Sequence, residues 1–166
     1  MTMAEIAEKK VADLAGKYLT FRLLNEEYGL EILKVREIIG MMAITSLPRT
    51  PPFVRGVINL RGKVIPVIEL RKKFEMEAAE DTDQTCIIVV DVASKGGGIQ
   101  IGILVDSVSE VLDIIGEDIE EAPAFGTNID TAFILGMAKA KGSVKILLNI
   151  EKVLSSSELE QVSGIG

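Results

Sequence analysis

The stretch FVRGVINLRGKVIPVIEL, Phe53–Leu70, holds two apolar runs, VINL and KVIPVIEL, folded back on each other at Arg61-Gly62. Val and Ile suit a pleated, half-buried surface, and Gly62 supplies the positive φ that a tight hairpin turn needs. Pro66 falls inside the second run. It has no N–H to give to a ladder, so it is predicted at a sheet edge or a bulge. Just upstream, Pro51 and Pro52 are predicted to open a short helical turn through PPFVRG. Pairing of apolar runs explains the strands but not the arginine at their corner.

Working outward, KYLTFRLL (17–24) and YGLEIL (28–33) form a second predicted hairpin, turned by NEE. KVREIIGMMAIT admits a helical turn at its start and an extended end. EMEAAEDTDQ is acidic and nearly without large apolar residues, which predicts a solvated connector. Beyond it, TCIIVVDV turns through ASKGGG into IQIGILVD, followed by SVSEVLDI and an irregular stretch from Gly116 to Thr131. AFILGMAKA, KGS and VKILLNI make a last hairpin, and EKVLSSSELEQV reads as a terminal helix. Residues 1–16 read as a short helix or a disordered tail.

The two halves repeat. A shift of 73 positions lays YGLEILKVREII over IGILVDSVSEVL, so that Gly29 meets Gly102, Ile32 meets Val105, Val35 meets Val108 and Glu37 meets Glu110. A shift of 80 carries the hairpin onto its counterpart: Phe53 onto Phe133, Gly56 onto Gly136, Arg61 onto Lys141, Gly62 onto Gly142 and Leu70 onto Ile150. The difference is an insertion between Leu112 and Phe133. Two copies of one small β unit are implied. Sheets of about five short strands close into barrels to hide their edges. The expectation is a mainly β fold: two packed five-stranded barrels with short helices and a C-terminal helix. One barrel is expected from 17–74, with a contribution from 144–166, and the other from 84–143, all within one domain of 166 residues.

Composition narrows the function. Histidine is absent, which removes the usual general base and the commonest zinc ligand. A net charge of −7 disfavours nucleic acid, whose phosphates need a basic footprint. The single cysteine, Cys86, reads as a small buried apolar residue of a protein in a reducing cytosol. No signal peptide or membrane span is read in the sequence.

Chemical motifs are weak. KGGG lacks the strand–glycine loop–helix setting of a phosphate site. The acidic run from Glu75 to Asp83 lacks the alternating ligands of a calcium loop. Asp106 and Glu110 would share a helical face if that segment were helical, which leaves a carboxylate enzyme as a minor alternative. A small molecule bound between the barrels is another. No metal, cofactor or catalytic residue is predicted. What remains is an interaction surface. Ile32, Val35 and Ile39 fall near one helical face, and Arg61 can hold a carboxylate by paired hydrogen bonds. Glu37 is the candidate partner, so the pair is expected to fix the surface containing Val35.

At these residues the sequence resembles the CheW-like coupling proteins of bacterial chemotaxis. EEYGLEILKVREIIG, TPPFVRGVINLRGKVIPVIELRKKF, GILVDSVSEVL and ILLNIEKVL carry the resemblance, which runs from about Tyr18 to Leu154. It implies two SH3-like barrels and a non-catalytic adaptor. Such an adaptor joins the regulatory domain of the histidine kinase CheA to the cytoplasmic tips of methyl-accepting chemoreceptors. The chain would then be cytoplasmic and recruited to membrane-associated receptor arrays, with neither nucleic acid nor direct membrane insertion. By the same resemblance Ile32, Val35, Cys86 and Ile87 line a receptor groove supported by Glu37 and Arg61, while Ile38, Arg55 and Gly56 face the kinase. A CheW-like domain excised from a CheV or CheA protein shares these features and stays as an alternative.

Overall fold

A computed structural model describes residues 14–77, 80–94, 97–121 and 133–163. Eleven strands run β1 (Gly16–Leu23), β2 (Glu26–Glu31), β3 (Val35–Gly40), β4 (Val54–Leu60), β5 (Lys63–Glu69), β6 (Cys86–Ser94), β7 (Gly97–Val105), β8 (Ser107–Ile114), β9 (Ile119–Glu120), β10 (Ile134–Ala140) and β11 (Ser143–Leu148). The short helices are α1 (Leu70–Lys73), α2 (Ile150–Val153) and α3 (Ser156–Ser163). Most of residues 1–16, read above as a helix or tail, lie outside the described residues.

The strands form two sheets, ordered β8-β1-β2-β11-β10-β9 and β3-β6-β7-β5-β4. The first has six strands rather than five because two-residue β9 adds itself to β10. Neither sheet follows the contiguous division of the sequence into 17–74 and 84–143. Each takes the first two strands of one repeat and all the later strands of the other. Thus β1 and β2 lie with β8, β10 and β11, while β6 and β7 lie with β3, β4 and β5. Strands of different repeats meet in two parallel pairings, β11 beside β2 and β5 beside β7, and in two antiparallel ones, β8 beside β1 and β6 beside β3. The chain crosses between sheets at the 3-10 turn Ile32–Lys34 and at Asp106.

Three apolar clusters follow from this exchange. Ile58, Ile65, Val67, Ile87, Val89 and Leu104 fill the barrel of the second sheet, and Tyr18, Leu112, Ile114, Ile119, Ala138 and Leu147 fill the other. The largest lies between them and draws Leu19, Phe21 and Leu23 from β1, and Ile88, Val90 and Val92 from β6, with residues of all three helices. Alternation along a strand therefore sends successive residues into two different cores. That is why β6 reads as an unbroken apolar run.

A bulge in β3 settles the ambiguous KVREIIG segment. Val35 pairs with Val90 and Glu37 with Val89, so one residue is inserted between them. Val35 consequently packs on the shared core while Ile39 packs inside the barrel. Ile32, Val35 and Ile39 therefore do not share a helical face, because only Ile32–Lys34 is helical. PPFVRG is likewise not helical: Pro52 and Phe53 make a turn and β4 starts at Val54. Pro66 sits in a central strand, not at an edge or bulge. Val57 turns its N–H and C=O toward Thr45, so its partner Pro66 makes no ladder bond to β4. On the other side, pairing with β7 begins only at Val67. The missing N–H falls where no partner strand reaches.

Candidate functional site

Arg61 and Gly62 both have positive φ, 52° and 84°, which makes the β4–β5 connection a two-residue hairpin turn of matching twist. Asn59 Oδ1 accepts the Gly62 N–H at 2.9 Å. The turn aims the Arg61 guanidinium at Glu37, and its Nη2 donates to Glu37 Oε1. Turn and strand belong to the two ends of one sheet, and the Thr45–Val57 bridge joins the same ends. The ion pair thus lies across the closing seam of the barrel. Its arginine is 71% exposed, so its contribution to stability is about 1 kcal/mol or less. Beside the pair in sequence stand two exposed aliphatic residues, Ile38 and Val64.

The other barrel has a twin of this corner. Lys141, at φ 50° in the β10–β11 turn, donates to Glu110 on β8. Val111 and Val144 are exposed there as Ile38 and Val64 are here. The offsets of 73 and 80 already map Glu37 onto Glu110 and Arg61 onto Lys141. Sequence reading held the signal for the second pair but did not join its members.

Of the expected groove residues, Ile32, Val35 and Cys86 are half-buried at the margin of the shared core. Cys86 is thus less enclosed than expected; burial pushes its thiol pKa up, partly offset by a backbone hydrogen bond at Val108. Ile87 is fully buried inside the barrel and offers no surface, because it alternates with Cys86 along β6. Lys34 Nζ donates to Glu151 Oε1 at 2.9 Å, and that bond raises the Lys34 pKa. Glu151 Oε2 also accepts the Ala93 N–H at 2.9 Å, tying the 3-10 turn to α2 and β6.

Ile38, Arg55 and Gly56 do not form one exposed face. Ile38 is open to solvent, whereas Arg55 is held at 2.8 Å by Asp81 and lies 3.6 Å from buried Glu69. The hydrogen bond to Asp81 is the chief cause of a raised Arg55 pKa. Asp81 also lies 3.7 Å from buried Arg71, so at Asp81 the acidic connector is tied to the fold and not simply solvated. Gly56 is buried, and a Cβ there would lie 2.1 Å from the Thr45 carbonyl oxygen.

The carboxylate pair fails on geometry. Glu110 lies on a strand and Asp106 just before it. Asp106 Oδ1 is 3.1 Å from Arg71 Nε, its Oδ2 accepts the Leu24 N–H at 2.6 Å, and Glu110 is engaged by Lys141. Among the described residues no three His, Cys, Asp or Glu side chains are grouped to hold a metal ion. No described helix is long and apolar enough to cross a membrane.

Comparison with known proteins agrees with the strand arrangement over nearly its whole extent. The CheW-like domain family is matched over residues 17–158. The chemotaxis protein CheW of Klebsiella aerogenes is 39% identical over 160 residues, 93% of this chain and 94% of its own. That of Rhizobium meliloti is 34% identical over 154 residues, 93% of this chain and 97% of its own. The crystal structure of the scaffolding protein TtCheW from Thermoanaerobacter tengcongensis superposes with a TM-score of 0.76 at 37% identity, covering 87% of this chain and 96% of that one. Its likeness extends to both barrels, and the chain belongs to the CheW-like domain family.

Proposed function

We propose that this protein is a non-catalytic chemotaxis coupling protein that joins a CheA-type histidine kinase to the cytoplasmic tips of methyl-accepting chemoreceptors. The observation that carries this reading is the bulge in β3. It turns Val35 toward the seam between the barrels while Ile38 stays exposed next to Glu37. One strand thereby serves two differently facing surfaces of a single rigid body. A connector needs that property, since it must hold two partners at once. The seam, half-apolar with paired charges at its rim, suits the side of a helical bundle. The Arg61–Glu37 corner supplies orientation through a largely exposed guanidinium held in place by its carboxylate partner. A cytoplasmic location, with recruitment to membrane-bound receptor arrays, follows from those partners.

The test is a sedimentation and kinase assay with receptor signalling fragments, CheA and this protein. Wild type is expected to carry the kinase into the receptor pellet and to raise its activity. Arg61→Ala is expected to remain folded yet couple poorly, and Arg61→Lys to be intermediate. Equal coupling by all three proteins would remove the corner from the mechanism. Failure of wild type to couple a matched receptor and kinase would refute the function.

A further inference from the structure

We infer that Leu33 is the anchor of the receptor-facing seam: a rigidly presented apolar knob that enters a hole between helices of the receptor tip. The inference rests on the coupling function proposed above. Leu33 is 93% exposed, the most open of the large apolar side chains described. Single exposed leucines are common on protein surfaces, so exposure alone decides nothing. Its setting does.

Leu33 is the middle residue of the 3-10 turn Ile32–Lys34, and every neighbour is tied down. Ile32 before it and Val35 after it pack on the shared core. Lys34 is bonded to Glu151, which is itself bonded to the Ala93 N–H. Further along β3, Arg36 lies 3.6 Å from Asp91. The turn is therefore fixed on both sides, and the conformational entropy lost when Leu33 is captured is small. The two cations beside it, Lys34 and Arg36, already have partners on the same chain, so a binding surface need not supply counter-ions for them.

The internal repeat offers a control within the molecule. The offset of 73 that maps Val35 onto Val108 maps Leu33 onto Asp106. Both residues occupy the point where the chain crosses from one sheet to the other. At the second crossing the side chain is used for the fold: Asp106 is held by Arg71 and by the Leu24 N–H. At the first crossing the side chain makes no such bond and points an apolar group into solvent. The architecture thus does not require leucine at position 33.

A lone convex knob flanked by half-buried Ile32 and Val35 fits a concave apolar hole with a polar rim. Paired helices present such holes between their side chains. A net charge of −7 argues against an anionic membrane as the complement. A second copy of this chain is the remaining occupant, and the test separates it.

The experiment measures binding of full-length wild type, Leu33→Ala and Leu33→Met to a receptor signalling fragment and, separately, to CheA. Urea unfolding and sedimentation velocity accompany each protein. Leu33→Ala is expected to weaken receptor binding by about ten- to a hundredfold, the loss expected for one buried leucine side chain. Leu33→Met is expected to restore most of that loss, with kinase binding and the urea midpoint unchanged in both. Equal receptor affinity for wild type and Leu33→Ala overturns the inference and leaves the coupling function standing. A shifted urea midpoint or a parallel loss of kinase binding assigns Leu33 a structural role and also overturns it. So does a wild-type dimer that Leu33→Ala dissociates while receptor affinity is kept. Wild type that binds neither partner sinks the coupling function, and the inference with it.

Discussion

Replacing Gly56 by alanine should be far more damaging than the same change at its repeat partner, Gly136. The two glycines occupy equivalent positions, each at a register shift of its hairpin. Gly56 has φ 150°, a region that alanine rarely enters and that costs about 1–3 kcal/mol. Its Cβ would also lie 2.1 Å from the Thr45 carbonyl oxygen and 2.7 Å from the carbonyl carbon. Relief requires Thr45 to move away, which opens both 2.9 Å hydrogen bonds of the Thr45–Val57 bridge. Those two bonds contribute about 1 kcal/mol each. The expected loss is about 3–5 kcal/mol.

At Gly136 the nearest atoms, Glu120 O and Ile119 Cγ2, would lie 3.0 Å from the new Cβ. Two-residue β9 can give by a few tenths of an ångström, so the expected loss there is about 1 kcal/mol. In urea, with a slope of about 2 kcal/mol per molar, the two variants separate by at least about 1 M in midpoint. Circular dichroism at several denaturant concentrations reads this directly. Equal midpoints would refute the steric reasoning. The result also bears on the expectation that Gly56 contacts the kinase. If Gly56→Ala loses kinase binding only together with stability, the glycine shapes the barrel and touches no partner.

Arg71 and Arg61 should respond in opposite proportion to their exposure. Arg71→Met leaves Asp106 without its cation and should cost about 3–5 kcal/mol, whereas Arg61→Ala should cost less than about 1 kcal/mol, both read from urea midpoints. Glu27 has its carboxyl pKa held low, chiefly by the hydrogen bond from the Lys145 ammonium 2.7 Å away. Its contribution to stability is therefore full above the unfolded carboxylate value of about 4.3 and is lost as pH falls through the lower folded value. Glu27→Gln should flatten this acid limb in a series of unfolding midpoints from about pH 6 to pH 3, and an unchanged limb would count against it. Cutting the chain between Glu77 and Glu80 should give two fragments that are each largely unfolded alone and regain the native circular dichroism spectrum when mixed. A fragment that folds cooperatively by itself would contradict the strand exchange.

Most strands were legible because Val, Ile and Leu runs alternate with turn residues. VINL and KVIPVIEL became β4 and β5 with the turn at Arg61-Gly62 as expected. The repeat was legible by counting, yet the partnering of its strands was not. Five strands in sequence satisfy local pairing, and nothing in periodicity says that β2 should lie beside β11 rather than beside one of its own repeat. The parallel contacts that decide this are long-range. The bulge between Val35 and Glu37 was equally hidden, since one inserted residue makes a strand imitate helical spacing. At the candidate site the Glu37–Arg61 pair was reached from side-chain chemistry. Ile87 and Gly56 were misjudged because their burial depends on which core each strand face meets. Leu33 passed unnoticed because its leucine reads as one more core residue until its exposure is known.

Strand exchange also bears on how such a body couples two partners. If each repeat formed its own barrel, a single connector would join two units free to tilt about it. Here the chain crosses between sheets twice, at Ile32–Lys34 and at Asp106, and both crossings are pinned by ion pairs. Each barrel is completed only by strands of the other repeat, and the shared core holds residues of both sheets. Separating the barrels would open the shared core and break the ion pairs at both crossings, so tilting is opposed by apolar packing as well as by those pairs. A partner seated on the seam and another on the face around exposed Ile38 would consequently be held at a fixed spacing and angle. Variants that loosen a crossing, such as Lys34→Ala or Asp106→Asn, are the ones that would separate binding from coupling: both partners would still be held, but kinase activation in the three-component assay would fall.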